Sequence, residues 1–431
     1  MKIPAVKGTR DFYPPQMAVR NYIVDGWKAA SRRSGFEEYD GPIFEHLSMY
    51  QIKSGQEIAE QLFSLTDRGG RDLAIRPEIT PTLARMVNQQ IHTLARPIKW
   101  FSVPRLCRAE RPQKGRLREF FQWNIDIIGV EDVLADAEVI FCSVDYLRSV
   151  GLTARDIVVK LSSRRMLAAM LEAIGVKEDR LPSVYAVLDK KAKIPDEAFE
   201  AMLSEALPDE DIRGNAKNLM EAERLEDLTA SARTEEASIA AEELKRLMGL
   251  LNAMGIGDFI QFDIGVVRGL AYYTGVVFEI YDRAALLRAV CGGGRYDNLL
   301  SDFGGPKMTA TGMGMGDCVL EILLRQKGLL RDDMLATRSL DYFIVTAQGD
   351  LEVSAVELAA RIRLAGCACD FSYKGGALGK QLKQADASGA GKVIILGQEY
   401  SQGGKLVVKD MKSGQQKEIE KESFLASLPV K

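Results

Sequence analysis

The stretch EFFQWNIDIIG, Glu119 to Gly129, constrains this chain more than any other. Phe121, Trp123, Ile125 and Ile127 alternate with Gln122, Asn124 and Asp126. That is the period of a β-strand, whose successive side chains point to opposite faces. One face demands an apolar core beneath it. The other carries two amides and a carboxylate in a row. If that face is covered the row must line a site, because buried polar groups need hydrogen-bond partners.

Two glycine runs make the same demand of their surroundings. In CGGGRYDNLL, Gly292, Gly293 and Gly294 let the backbone approach another group closely, with Arg295 and Tyr296 following. In TGMGMGDCVLEILL, Gly312, Gly314 and Gly316 alternate with Thr311, Met313 and Met315, which leaves one strand face bare. A flat ligand such as adenine fits such a strip, and so does close strand–helix packing. Neither run has the spacing of a phosphate-cradling GxxxxGK[ST] loop or a well-placed GxGxxG.

The strand is preceded by a dense positive charge. Arg111, Lys114, Arg116 and Arg118 fall within one loop between two strand-like runs, PIKWFSVPRLCRAE and EFFQWNIDIIG. A basic hairpin tip alone is equally a solvated turn. Its flanks argue for more: Arg108 and Glu110 on one side, Phe120, Gln122 and Asp126 on the other. Planar guanidinium forks match polyphosphate oxygens, and an aromatic at the loop base offers a stacking surface for a purine. The net charge of -3 excludes wholesale coating by nucleic acid but leaves room for such a local site.

The 431 residues exceed one ordinary core, so two or three domains are expected. No run approaches the roughly 18 apolar residues of a membrane helix, and MKIPAVKGTRDFYPP lacks a secretory signal core. Six scattered cysteines fit a reducing cytoplasm rather than a zinc cluster. Only His46 and His92 are available, which disfavours histidine-rich metal sites and Ser-His-Asp chemistry, and no protein-held metal is expected.

Periodicity predicts a helix over Met17 to Arg32, with Val19, Ile23, Trp27 and Ala30 on one face and Gly35 ending it. A second helix starts after RPEITP, capped by Thr80 with Pro81 in its first position. The preceding LAIRPE reads as a strand, so Glu78 and Thr80 stand where a strand hands over to a helix. From about 172 to 249 the text is helical and acidic, with twelve Asp/Glu against five Lys/Arg over 205–245. Sheet-like text returns at Asp258–Tyr281. Beyond a charged linker at 326–338, DYFIVT, CACDFSY and KVIILG alternate with two helices, implying a small parallel sheet over 339–431. In the first of these helices Val353, Val356, Ala360 and Leu364 share the expected core face, and the second lies near Leu378–Ala387.

Five fragments in order carry a resemblance: KGTRDFYPP, RPEITP, RAERPQKGRLREFFQWNIDIIG, VVRGLAYYTG and CGGGRYDNL. Singly each is weak; together they resemble the histidyl-tRNA synthetases, a class II aminoacyl-tRNA synthetase family, over almost the whole length. The resemblance implies an α+β catalytic domain built on an antiparallel sheet, covering 1–325 and interrupted by the helical insertion at about 172–249. It also implies a C-terminal α/β anticodon-binding-like domain, ATP and Mg²⁺ as cofactors, and L-histidine and tRNA(His) as partners. A cytoplasmic homodimer is implied too, with Pro42 of GFEEYDGPIFEHLSMY at its interface.

Carried over by position, Glu78, Thr80 and Gln122 would hold the α-amino group of histidine. Asp126 and Tyr273 would read its imidazole, with Tyr272, Gly292, Gly293 and Gly294 shaping the pocket. Arg108 and Arg268 would grip the α-phosphate of ATP and Arg116 its γ-phosphate, while Glu110 would meet the adenine edge, Phe120 would stack on it and Gly314 would leave it room. Arg111 and Gln113 would meet the tRNA acceptor end, and Lys374, Lys380 and Lys383 are either anticodon-stem contacts or solvated lysines. Two positions depart from the family pattern: Ala271 stands where an Asp is usual, and Val319 where an arginine covers the adenine, with Arg325 a candidate substitute. The rival is a non-catalytic, histidine-binding regulatory subunit. Such relatives lack the C-terminal domain.

Overall fold

The computed structural model describes residues 3–51, 62–191, 194–222, 224–229, 234–267, 272–335 and 340–429. The chain divides into two compact units, Met1–Asp332 and Asp333–Lys431. Among the described residues no helix is long and apolar enough to cross a membrane.

The first unit is organised on a nine-stranded sheet. Its strands are β1 (Glu37–Glu38), β5 (Ile98–Ser102), β6 (Arg105–Cys107), β7 (Glu119–Ile128), β8 (Ile157–Ser163), β9 (Ile260–Phe262), β10 (Val276–Asp282), β11 (Cys291–Tyr296) and β12 (Ala310–Gly316). Three further strands, β2 (Phe44–His46), β3 (Phe63–Thr66) and β4 (Asp72–Ile75), form a small separate antiparallel sheet. The large sheet runs β1-β5-β7-β12-β11-β10-β8-β9, with β6 pairing β7. The central neighbours are antiparallel, and only the outer pairs β1·β5 and β8·β9 are parallel. The run PIKWFSVPRLCRAE, expected as one strand, is two. Pro104 separates β5 from β6, since it has no N–H to give the ladder, and its carbonyl accepts from Gln122 N at 3.2 Å.

The apolar face of β7 packs on two helices, Pro14–Arg33 and Leu134–Ser149. Trp123 stacks on Trp27 with centroids 6.2 Å apart and meets Tyr146 edge-on at 5.6 Å. Its indole N–H donates to Ser31 Oγ at 2.8 Å. Each such ring removes about 150–250 Å² from water, roughly 5 kcal/mol at ~25 cal/mol per Å². Val19, Ile23, Trp27 and Ala30 are all buried, as the helical spacing predicts. The helix after RPEITP is Thr80–Gln90. Thr80 is its first residue rather than its cap, and Ile79 precedes it without a side-chain cap bond.

The acidic stretch is helical: Leu181–Leu188, Asp196–Ala206, Glu210–Met220, Leu225–Thr229 and Glu235–Ala253. The last of these lies against the helix Arg164–Ala173, with Arg165 Nη1 3.3 Å from Glu243 Oε1.

The second unit holds β13 (Leu340–Thr346), β14 (Cys369–Phe371), β15 (Ala390–Leu396), β16 (Lys405–Asp410) and β17 (Gln416–Glu420), in the order β14-β13-β15-β16-β17. The first three are parallel, as strand–helix–strand alternation requires, and the last two add an antiparallel edge. The helix Leu378–Ala387 lies where periodicity puts it. The helix Glu352–Leu364 is turned the other way. It buries Ala355, Leu358, Ala359 and Ile362, while Val353 is 80% and Leu364 87% exposed. Both stripes have helical spacing; packing against Ile344, Leu396 and Leu406 selects the first.

Candidate functional site

Strand register explains the glycines. Asp126 lies opposite Gly312, Asn124 opposite Gly314 and Gln122 opposite Gly316. Gly312 and Gly314 in turn oppose Gly294 and Gly292. A Cβ on Gly312 would stand 2.0 Å from Asp126 Oδ1, and one on Gly314 would stand 2.8 Å from Gln122 Nε2. The bare strip is therefore the space into which the polar row of β7 leans. Gly293 faces the other way, where a Cβ would meet the carbonyl of Gly312 at 2.3 Å.

Asp126 is 3% exposed, and its Oδ1 accepts from Tyr296 Oη at 2.6 Å. Among the described residues its Oδ2 has no hydrogen-bond partner. Burial pushes the carboxyl pKa up to about 7; the bond from Tyr296 opposes that shift and the charge of Glu78 adds to it. Glu78 is buried at the end of the segment following β4, and its Oε2 accepts from Tyr272 Oη at 3.2 Å. Tyr272 packs on Tyr273 at 4.9 Å and edge-on to Tyr296 at 5.6 Å. Two carboxyl groups and three phenols thus form one buried cluster, with Thr80 at the helix start and Gln122 at its margin. Such a set suits a small ligand that presents N–H donors or positive charge. No motif marks Tyr296 in the sequence; the signal that could find it is period two, which puts it on the face of Gly292 and Gly294. Arg295, on the other face, is structural: it holds Asp136, Thr309 and the carbonyls of Val130 and Asp132.

The basic loop closes the cluster on one side. Arg108 donates from Nε to the carbonyl of Pro77, the residue before Glu78, at 3.0 Å. Its guanidinium lies 5.3 Å over Phe120. Arg116 is ion-paired to Glu110. Arg118 closes the loop base: its carbonyl accepts from Arg108 N at 2.8 Å and its Nε donates to Glu110 O at 3.1 Å. Lys114 and Gly115 make the tip between Gln113 and Arg116, which exchange backbone bonds; Gly115 has φ +75°. Arg111, Gln113 and Lys114 are exposed. The N-terminal segment straps this base, because the carbonyl of Gly8 accepts from Arg118 N at 2.9 Å. Arg10 pairs with buried Asp317 at 2.6 Å, and Asp317 also accepts from Phe121 N at 3.0 Å. Neither Gly8 nor Asp317 was singled out from sequence, because both act through chain-distant backbone groups.

Arg268 and Ala271 lie outside the described residues. Val319 is buried under the loop tip, 3.1 Å from where a Gly115 Cβ would be. The guanidinium of Arg325, the candidate substitute, is engaged by Glu321 and Asp332, each at 2.9 Å. In the second unit Lys374, Lys380 and Lys383 are exposed, beside Tyr373 at 72%.

The sequence pattern of histidyl-tRNA synthetase matches residues 8–316, and that of the anticodon binding domain matches 341–430. A chloroplastic/mitochondrial histidine–tRNA ligase of Arabidopsis thaliana is 39% identical over 96% of this chain and 84% of its own length. A histidine–tRNA ligase of Opitutus terrae is 38% identical over 98% of this chain and 97% of its own. The crystal structure of histidyl-tRNA synthetase from Nostoc sp. PCC 7120 shares the fold, with a TM-score of 0.81, 21% identity and 99% of both chains covered. With a buried acidic–phenolic cluster, an arginine-rich loop beside it and relatives alike along nearly the full length, this chain belongs to the histidyl-tRNA synthetase family.

Proposed function

We propose that this chain ligates L-histidine to tRNA(His) in two steps, through a histidyl-adenylate. The observation that carries the site assignment is the buried pair Glu78 and Asp126, each bonded to a phenol, with Glu78 next to Pro77, whose carbonyl holds Arg108. Glu78, Thr80 and Gln122 bind the α-ammonium group of histidine. Asp126, already oriented by Tyr296, accepts from the imidazole N–H, while Tyr272, Tyr273, Gly292 and Gly293 fix the ring's plane. An apolar rival would leave the buried Asp126 Oδ2 without a donor, and leaving such a buried polar group unpaired can cost up to about 10⁴–10⁵-fold.

ATP enters over the loop. Phe120 stacks on adenine above Gly314, Glu110 accepts from its amino group, Arg116 takes the γ-phosphate, and Arg108 with Arg268 flanks the α-phosphate. Mg²⁺, bound through the phosphates that Arg108, Arg116 and Arg268 would hold, would add charge neutralisation there. The histidine carboxylate attacks the α-phosphorus; a new O–P bond forms as the bond to the β-phosphate oxygen breaks and pyrophosphate leaves. The terminal ribose hydroxyl of tRNA then attacks the adenylate carbonyl and AMP departs. These residues supply alignment and charge neutralisation, which is what phosphoryl transfer requires of a protein. Arg111 and Gln113, exposed on the loop, meet the acceptor end. The second unit, with Lys374, Lys380 and Lys383 on its surface, takes the anticodon arm. The active form is a cytoplasmic homodimer with Pro42 in its interface; the exposure of Ile43 and Phe44 beside it supports that.

Histidine-dependent ATP–pyrophosphate exchange, with the other amino acids as controls, tests the reading. Exchange with histidine alone is expected. Histidine binding without exchange would instead make this a regulatory subunit.

A further inference from the structure

Arg164 links the helical stretch 181–253 to the segment that carries Tyr272 and Tyr273. Arg164 is the first residue of the helix that follows β8. Its backbone N–H donates to the carbonyl of Gly275 at 2.9 Å, and its Nη1 donates to the carbonyl of Tyr273 at 3.2 Å. Both donors grip the segment that carries Tyr272 and Tyr273 into β10. The far side of the same guanidinium lies 4.7 Å over the ring of Tyr185. Tyr185 sits in Leu181–Leu188, the first α-helix of the acidic stretch. Asp189, at the end of that helix, adds its charge to the attraction on Arg164. Arg164 is half-buried, so these contacts are stronger than on an open surface.

The position of the Tyr273 carbonyl sets where the two adjacent phenols stand. Tyr272 reaches Glu78, and its ring abuts Tyr296, which orients Asp126. We infer that Arg164 is a positioning residue for the amino-acid pocket, and that Tyr185 makes this positioning depend on how the inserted helices are seated. The inference rests on reading the Glu78–Asp126 cluster as the histidine pocket. The linkage from Tyr185 to that pocket runs through the Arg164 guanidinium, and the substitution of Tyr185 tests that linkage.

The test compares Tyr185→Leu, Tyr185→Phe and Arg164→Lys with the wild type in pyrophosphate exchange, measuring KM for histidine, KM for ATP and Tm. Tyr185→Leu removes the aromatic face and raises the histidine KM about three- to tenfold, the range a partly desolvated cation–π contact supports, with the ATP KM within twofold. Tyr185→Phe keeps the ring face and stays within twofold of wild type. Combining Tyr185→Leu with Arg164→Lys gives no more loss than Arg164→Lys alone, because both remove one linkage. An unchanged histidine KM in Tyr185→Leu, an equal rise in both KM values, or a phenylalanine variant as impaired as the leucine one overturns the inference. A wild type that neither binds nor activates histidine overturns the pocket reading, and this inference with it. An active wild type indifferent to Tyr185→Leu overturns the inference alone.

Discussion

Replacing Asp126 by asparagine should make the ligand-free protein more stable at high pH while removing its affinity for histidine. Burial lifts this carboxyl pKa from 3.8 to about 7. Between those values the folded chain holds a proton that the unfolded chain has released. Stability therefore falls as pH rises through this window and levels off above pH 7. Each unit is worth 1.36 kcal/mol, so from pH 5 to pH 8 the wild type loses roughly 3 kcal/mol through this group alone. Asparagine cannot ionise and lacks that slope. Its amide has its own cost, about 1–3 kcal/mol for donors placed where Oδ2 has no partner, but the cost is the same at both pH values. The stability difference between variant and wild type should thus move by roughly 3 kcal/mol in favour of Asp126→Asn from pH 5 to pH 8. Urea unfolding followed by tryptophan fluorescence reads the right unit, because Trp27, Trp100 and Trp123 all lie in Met1–Asp332. A difference that stays constant from pH 5 to pH 8 would refute the elevated pKa and the closed environment it implies. Exchange activity of the variant should fall at least a hundredfold, since the imidazole loses its anionic acceptor.

Four other substitutions separate the parts of the site. Gly8→Ala adds a methyl group 2.7 Å from Pro112 Cγ at φ +89°, and should lift the loop base; a rise of about tenfold in ATP KM with unchanged histidine binding by calorimetry is expected, and equal effects on both would count against the strap. Gly314→Ala strikes only the far ends of Gln122 and Asn124 and should cut exchange at least tenfold with little change in Tm, whereas Gly293→Ala meets backbone and should lower Tm by several degrees; identical thermal behaviour in the two would show the distinction false. Arg268→Ala should reduce exchange by about 10²–10³-fold or more with the far-ultraviolet spectrum intact, and retained exchange would remove Arg268 from the chemistry.

What the sequence showed and what it hid follow one division. Local, periodic information was legible: the two faces of β7, the bare strip of β12 and the core face of Pro14–Arg33 are consequences of periods two and 3.6. Choices made by distant chain were not. Which phenol meets Asp126 depends on register between strands some 170 residues apart, and β11 presents Tyr296 to it. The helix Glu352–Leu364 has two apolar stripes, and only the sheet beneath distinguishes them. Val319 is uninformative in sequence because its reason is the loop tip folded onto it.

The arginines of the loop show the same limit and what lies beyond it. Sequence reveals the charges but not what neutralises them. In the ligand-free chain Glu110 holds Arg116, Tyr272 is bonded to Glu78 and Tyr296 to Asp126, so each of these site charges has a protein partner. A site built this way avoids burying bare charge while empty. On the proposed function, a polyphosphate, with several negative charges to set against one carboxylate, would displace Glu110 from Arg116 and leave Glu110 to accept from a base amino group. One displacement then serves both ends of the nucleotide, so loss of either member of the pair should weaken ATP while leaving the phenol-lined pocket for histidine intact.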